Sequence, residues 1–404
     1  MASEIVRVSG HIIDSLILPK ILDEIMDQKG GFEILEMQVG KRQTDPSQAR
    51  IRVTAPSPQH LEAILKKIAR LGAVTQKTTD VRLIRAPKPG VFPPAFYSTT
   101  NLPTEIRFRG RWRMVQDIEM DCGIAVNPPR GTAVCMPISR VKKGEWIVCG
   151  HDGIRVTPLE RARSTETFQF MQSAVSSEKP KGRLIRQLAD EMRVMKRKGL
   201  KIIFVAGPAV VHTGSGPYLE KLIHGGYVQA LFAGNGLATH DIESNLYGTA
   251  LGVYLDKGTS ARDGHDHHMR AINTVRAAGS IAKTIRKGIL KRGIMHACVT
   301  RKVPFVLAGS LRDDGPLPDV ITDVIKAQDA MRAQIRGVGM AVMTASTLHS
   351  IATGNLLPAT VRTVCVDINP AVVTKLADRG TFQGIGIVSD TESFYRELVQ
   401  ALKL

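Results

Sequence analysis

The chain begins with two rounds of strand-like alternation and helix-like spacing. Residues 4–9 read as a short strand. Ser15 is placed to cap a helix whose apolar positions Leu18, Ile21, Leu22 and Ile25 recur on one face; Pro19 is tolerated in its first turn, and Gly30-Gly31 ends it. Leu35, Met37 and Val39 alternate, as do Ile51 and Val53, so both runs predict half-buried strands. Ser57-Pro58 opens a second helix with Leu61, Ile64, Leu65 and Ile68 inward, Gly72 closes it, and residues 81–84 supply a last strand. The βαββαβ order predicts an α+β, ferredoxin-like module over residues 1–86.

Residues 87–158 change character. Prolines cluster between short alternating runs such as Ile106/Phe108, Ile124/Val126, Trp146/Val148 and Ile154/Val156, which predicts a small β-rich subdomain or barrel. Residues 159–200 are helical and basic, with Leu184, Leu188, Met192 and Met195 on one face. From 201 onward apolar strands alternate with helices. Runs at 202–206, 228–233, 304–308, 339–344, 361–367 and 384–388 are apolar almost throughout, as strands covered on both faces must be. Asn369 followed by Pro370 starts one helix, and Ser389 with Glu392 three residues on has the form of a capping box for the last. Residues 159–404 are therefore expected to form an α/β region around a parallel, Rossmann-like sheet.

Composition adds little except charge. At 404 residues, with 43% hydrophobic and 23% charged positions, the chain has ordinary globular character, and no stretch approaches the length of a membrane helix. No secretory signal is visible, and five scattered cysteines read as reduced thiols of a cytoplasmic protein. Their spacing lacks paired metal knuckles, so no metal site is expected. The net charge of +18 sits upstream, because residues 304–404 hold nine basic and ten acidic side chains. With aromatics at 5% and no basic tail, this reads as a soluble surface that attracts anionic ligands rather than nucleic acid.

In a parallel sheet, ligands bind where strands give way to helices. The loop 207–216 is rich in small residues; it is either a tight turn or an anion cradle, and it lacks the lysine of a P-loop. Residues 234–241 form a second loop, with Asn235 able to donate and accept, and with His240 and Asp241 at a helix start. Asp241 is a cap or a functional acid. In the loop 308–316, Asp313 and Asp314 are turn residues or functional carboxylates. The most informative loop follows 339–344. Ser346 and Thr347 stand at a helix start, and Asp367 ends the next strand 20 residues past Thr347. Hydroxyls and free N–H groups there can hold a pyrophosphate, and an acid on the next strand can bind a ribose diol, favouring NAD over NADP. In 264–273, His265, His267 and His268 offer acid–base groups, and Arg270 can grip a substrate carboxylate.

Three long motifs then carry a resemblance. GPAVVHTGSGPYLEKLI, AGNGLATHDIESNLYGTALGV and MTASTLHSIATGNLLPATV resemble the archaeal-type ornithine cyclodeaminases, which also form the C-terminal part of arginine dihydrolase/ornithine cyclodeaminase fusions. The N-terminal MASEIVRVSGHIIDSLILPKILDEI resembles the region shared with lysine-oxoglutarate reductase/saccharopine dehydrogenases. The resemblance implies a Rossmann-like region of deoxyhypusine-synthase-like type, a tightly held NAD, and conversion of ornithine to proline and ammonia. By position it carries NAD contacts onto Asn235, Gly236, Asp314, Ser346, Thr347, Leu348, His349, Asp367, Asp390 and Thr391. Gly236 stands where alanine is expected in many relatives. For that reaction the candidate bases are Asp313, His240 and His268, and Arg270 is the substrate anchor. The chain is expected to act as a cytoplasmic homo-oligomer on a small amino acid, without nucleic-acid or membrane partners. Two alternatives remain: a net amino-acid dehydrogenase of the saccharopine or lysine type, and a non-catalytic sensor of NAD or amino acids.

Overall fold

Strand β1 (Ala2–Gly10) pairs antiparallel with β3 (Ser47–Ala55) along its whole length, Val6 lying opposite Ile51. The alternation read from the sequence is literal here: Ala49, Ile51, Val53 and Ala55 are buried and the residues between them are not. Helix α1 (Ile17–Asp27) and helix α2 (Pro58–Ala69) cover that face, and Ile21, Ile25, Ile64 and Ile68 complete its core. With β2 (Gly31–Gln38) and β4 (Val74–Thr75) the order is β2-β3-β1-β4, the ferredoxin-like arrangement. The computed structural model describes residues 2–13, 16–41, 45–69, 71–75, 79–157, 181–255, 267–313, 315–378 and 384–404. The expected cap Ser15 lies outside them, whereas Ser57 caps α2 by accepting the His60 N–H at 3.2 Å.

The strand expected at 81–84 joins a different sheet. Thr75 already fills the place beside Val6, so β5 (Arg82–Arg85) pairs with β10 (Trp146–Cys149) instead, and Val81 and Leu83 enter a second core. That sheet also holds β6 (Thr104–Phe108), β7 (Arg111–Gln116), β8 (Gly123–Asn127), β9 (Thr132–Met136) and β11 (Ile154–Val156). Its order is β11-β6-β7-β9-β8-β10-β5. Both sheets belong to one unit, within residues 1–172 and 357–360.

The second unit lies within residues 173–356 and 361–404. Helix α3 (Lys181–Arg197) buries Ile185, Leu188, Ala189 and Met192. Strand β12 (Lys201–Ala206) follows, with residues 202–206 fully buried, as a central strand requires. Next come helices α4 (Ala209–His212) and α5 (Gly216–His224), strand β13 (Ala230–Gly234) and helix α6 (Asn235–Tyr247). A short ribbon, β14 (Thr249–Ala250) and β15 (Val253–Tyr254), precedes α7 (His267–Ala278), α8 (Ile281–Arg286) and α9 (Ile294–Thr300). The chain continues through β16 (Phe305–Ala308), β17 (Val320–Ile321) and α10 (Val324–Ile335). It ends with β18 (Val338–Thr344), α11 (Thr347–Leu356), β19 (Arg362–Asp367), α12 (Pro370–Asp378), β20 (Gly384–Val388) and α13 (Thr391–Leu402).

The large sheet has the order β17-β16-β13-β12-β18-β19-β20, with every neighbouring pair parallel. The chain winds outward from β12 to β17, then returns to the other side of β12 and winds outward again. The strand order therefore reverses between β12 and β18, the position at which open parallel sheets bind ligands. Two local expectations are corrected. Residues 235–241 are not a loop, because α6 starts at Asn235. The cap of α13 is Asp390, not Ser389: its carboxylate accepts the Ser393 N–H at 2.9 Å.

Candidate active site

At the switch point two turns meet with almost no space between them. Gly207 N–H donates to Thr344 O at 2.9 Å, and a Cβ built on Gly207 would lie 1.7 Å from Ala345 O. Only glycine fits there. Ala345 adopts φ 48°, a left-handed turn that swings the chain off β18 into α11. Thr347 and Leu348 begin that helix at the surface, Leu348 being 74% exposed. The first N–H groups of a helix have no partner within it, and the dipole adds positive potential at that end. On the adjacent strand, Asp367 is half-buried. Its Oδ1 accepts the Asn369 N–H at 2.8 Å, which fixes the carboxylate at the strand end.

On the other side of β12, four predicted residues are brought together. Asn235 Oδ1 accepts from Leu317 N at 3.1 Å and from Thr239 Oγ1 at 3.3 Å, while Asn235 Nδ2 donates to Asp313 Oδ1 at 3.4 Å. Asp313 Oδ2 accepts the Ser310 N–H at 2.7 Å. Asp313 is thus knitted into the loop after β16 rather than left free. His349 reaches the same place. Burial lowers its pKa, against the opposing effects of the Ala308 carbonyl and the Asp313 charge. A Cβ on Gly234 would stand 3.1 Å from His349 Cε1, so that glycine gives the ring its room. Ser346 Oγ meets His349 Nδ1 at 3.4 Å. Asp314 and His265 lie outside the described residues.

The start of α13 packs against the loop after β12. Thr391 is buried, and its hydroxyl meets Thr213 Oγ1 at 2.7 Å and Ser215 Oγ at 3.3 Å. These bonds tie the helix to the loop after β12. Asp390, one residue earlier, has its pKa lowered chiefly by the Ser393 N–H it accepts.

The histidines gather along one face of α6. Gly236 rests on Pro208, where an added Cβ would come to 3.1 Å from Cγ. One turn on, the His240 ring meets the His212 ring edge-on, with centroids 4.6 Å apart. His268 is more distant, at 6.3 Å from His240. Arg270 lies on the exposed side of α7. His240 Nδ1 is 2.7 Å from Glu243 Oε2, and Glu243 is fully buried. Burial would raise the Glu243 pKa, but bonds from His240, the Gly252 N–H and Thr249 outweigh it and the net shift is downward. His212 is held neutral, its pKa lowered to about 4 by burial and then by His240. Glu243 and His212 are residues that sequence reasoning missed. The i, i+3 spacing of His240 and Glu243 was the available signal once α6 is known to be a helix. Asp241, next in the chain, faces away and caps α9, accepting from Ile294 N at 2.8 Å and Met295 N at 2.9 Å.

A parallel sheet with one strand-order reversal, a free helix start on one side and an acid-ended strand next to it defines a Rossmann-type nucleotide-binding unit. Comparison with known proteins makes this specific. The family described as "Arginine dihydrolase ArgZ-like, C-terminal, Rossmann fold" matches residues 186–398, and its first region matches 103–185. Residues 3–102 match the "LOR/SDH bifunctional enzyme conserved region". The ornithine cyclodeaminase of Methanopyrus kandleri is 54% identical, covering 99% of this chain and 97% of its own. The apo crystal structure of ArgZ, a cyanobacterial arginine dihydrolase, superposes with a TM-score of 0.88 at 38% identity, covering 100% of this chain and 58% of that one. The crystal structure of AgrE in ternary complex with ornithine and NAD+ gives 0.55 at 43% identity, covering 100% of this chain and 57% of that one. The chain belongs to the ornithine cyclodeaminase family of archaea and of the cyanobacterial fusions.

Among the described residues no helix is long and apolar enough to cross a membrane, and all five cysteines are free and buried.

Proposed function

We propose that the protein is an NAD-dependent ornithine cyclodeaminase that converts L-ornithine to L-proline and ammonia. The observation that carries this reading is the strand-order reversal between β12 and β18, beside the exposed start of α11 and the acid at the end of β19, in a chain of this family. The donor set there suits a dinucleotide. The N–H groups at the start of α11, with Ser346, Thr347, Leu348 and His349, would hold the pyrophosphate. Asp367 would accept from a ribose diol, with Oδ1 already oriented by Asn369. Asn235, Gly236, Asp314, Asp390 and Thr391 complete the set by position in the family. When bound, NAD supplies a hydride acceptor that is restored within each cycle, so the conversion is redox-neutral overall.

The chain's own residues must do the rest. They orient the α-carbon, keep water from a reactive imine and move protons between nitrogens. His240 is the best placed of the three candidate bases, because it is only 12% exposed and already paired with a carboxylate. Asp313 instead orients Asn235, His268 stands at the edge of the histidine group, and Arg270 is the candidate anchor for the substrate carboxylate. The expected homo-oligomer and cytoplasmic setting belong to the same reading.

Incubation with ornithine and NAD, with assays for proline, ammonia and reduced nicotinamide, tests it. Proline and ammonia in equal amounts without accumulating reduced nicotinamide is the expected result. Reduced cofactor accumulating with substrate would point to a net amino-acid dehydrogenase, and ligand binding without turnover to a sensor.

A further inference from the structure

Glu243 takes three hydrogen bonds in a place where no water reaches it. His240 meets Oε2, while Thr249 Oγ1 at 2.9 Å and the Gly252 N–H at 3.1 Å both donate to Oε1. Its hydrogen bonds hold the Glu243 pKa below the ordinary carboxylate value despite burial, so this carboxylate is ionised and can only accept. The hydrogen between it and His240 therefore sits on His240 Nδ1, and the lone pair of the uncharged form of the ring is on Nε2. Thr249 has one hydroxyl hydrogen, already given to Glu243. It must then accept from His267 Nδ1, 2.9 Å away, which fixes a second histidine in the same network. Among the described residues, the other titratable rings beside His240 are His212 on α4 and His268 on α7. Neither makes a hydrogen bond to it.

The pair is placed by the switch point. Gly236 touches Pro208, which follows Gly207 directly, and His240 lies one turn further along the same face of α6, a rise of about 6 Å. His212 stands four residues after Pro208 and meets the His240 ring. The segment that packs against Ala345 thus also flanks the imidazole.

We propose that Glu243 is the positioning residue of the general base: it locks His240 in the Nδ1–H form, so that Nε2 takes the proton of the substrate's δ-ammonium group. This rests on the ornithine cyclodeaminase reading. The freed δ-amine forms a bond to the α-carbon and the bond from that carbon to the α-nitrogen breaks. The proton held on Nε2 passes to the departing nitrogen, which leaves as ammonia. One proton is taken and one returned, and Glu243 balances the imidazolium in between.

The arrangement makes an unusual demand on Glu243→Gln. Thr249 and Gly252 both donate to the Oε1 position, so the carbonyl of glutamine must sit there. Its NH2 then points at His240 Nδ1 and forces that nitrogen to become the acceptor. The ring shifts to the Nε2–H form and the base is lost without any change in packing. Nitrogen-15 spectra of histidine-labelled protein, with His240 assigned through His240→Gln, should show the Nδ1–H form in the wild type and the Nε2–H form in Glu243→Gln. Turnover of ornithine should fall about 10²-fold or more in Glu243→Gln, with KM little changed, and recover in part in Glu243→Asp. An Nε2–H ring in the wild type, or a Glu243→Gln variant with wild-type turnover, overturns the proposal. If Glu243→Gln does not fold, the wild-type spectrum and Glu243→Asp turnover decide. If the wild type makes no proline, the functional reading itself fails, whereas the spectra still judge the lock on His240.

Discussion

Replacement of Asp367 by asparagine isolates the carboxylate at the end of β19 with little disturbance to the fold. Asp367 Oδ1 accepts the Asn369 N–H at 2.8 Å, and the carbonyl oxygen of asparagine can take the same bond. The turn into α12 and the thermal stability should therefore survive. What changes is the other oxygen, which becomes an NH2 donor and can no longer accept from a ribose hydroxyl. A hydrogen bond to a charged group contributes about 1.5–3 kcal/mol, and losing it while facing a donor with a donor puts the cost at the upper end. About 2–3 kcal/mol corresponds to a roughly 30- to 150-fold weaker Kd for NAD. The sign for NADP is opposite in its electrostatic part, because the wild-type carboxylate repels the 2′-phosphate and the amide does not. The ratio of NADP to NAD affinity should rise by at least about tenfold. Calorimetric titration of both proteins with both nucleotides measures this directly. An unchanged NAD Kd in a correctly folded Asp367→Asn protein would refute the placement of the ribose and, with it, the reading of the strand-order reversal.

Two further outcomes follow from the same geometry. Gly207→Ala places a methyl group 1.7 Å from Ala345 O, a backbone atom that cannot turn aside, so the two loops must part. We expect a loss of roughly 1–3 kcal/mol in stability and a larger proportional loss of NAD binding, read by melting curves and titration; wild-type behaviour in both would show that the contact is not needed. Asp241 is buried, and burial chiefly raises its pKa from 3.8 to about 7, against the lowering effect of the Met295 and Ile294 N–H groups. The folded state then keeps a proton that the unfolded state releases, so stability should fall as pH rises from about 4 to about 7, by something on the order of 4 kcal/mol. Asp241→Asn should lack this slope, and parallel melting curves for the two proteins over that range would refute the assignment.

The architecture was legible where burial leaves a plain trace. Strands covered on both faces must be apolar throughout, and the six runs picked from residue 201 onward all became strands of one parallel sheet. The missing member, β17, is two residues long and offers no pattern to read. The first turn of helix α6 was hidden for a different reason. It is buried on several sides at once, at Leu237, Ala238, Asp241, Ile242 and Glu243, so its apolar residues form no single stripe, and Gly234-Asn235-Gly236 has the composition of a turn. With the helix start set five residues late, at His240, the i, i+3 pairing of His240 and Glu243 was unread too. At α13, Ser389 and Asp390 are both capping residue types; the carboxylate, as the stronger acceptor, took the helix start. Asp367 and the Ser346–Thr347 turn were found because a strand end, a helix start and an acid 20 residues on are each visible without structure.

The segment from Gly207 to His212 joins the two halves of the proposed chemistry. Its first residue packs against Ala345 beside the proposed nucleotide site, its second supports Gly236, and its last presses on the ring of His240. The hydroxyl bonds from Thr213 and Ser215 to Thr391 anchor the residues that follow it to α13. A reaction that removes an electron pair and a proton and later returns both needs the acceptor of each held in one frame, since any slack between them lets the imine meet water first. In the proposed chemistry that frame is a single short stretch of backbone. Gly207→Ala should therefore disturb the base as well as the nucleotide. The fall in turnover at saturating NAD should exceed what the weaker NAD binding alone explains, and a fall fully cured by excess NAD would show that the two sites are independent.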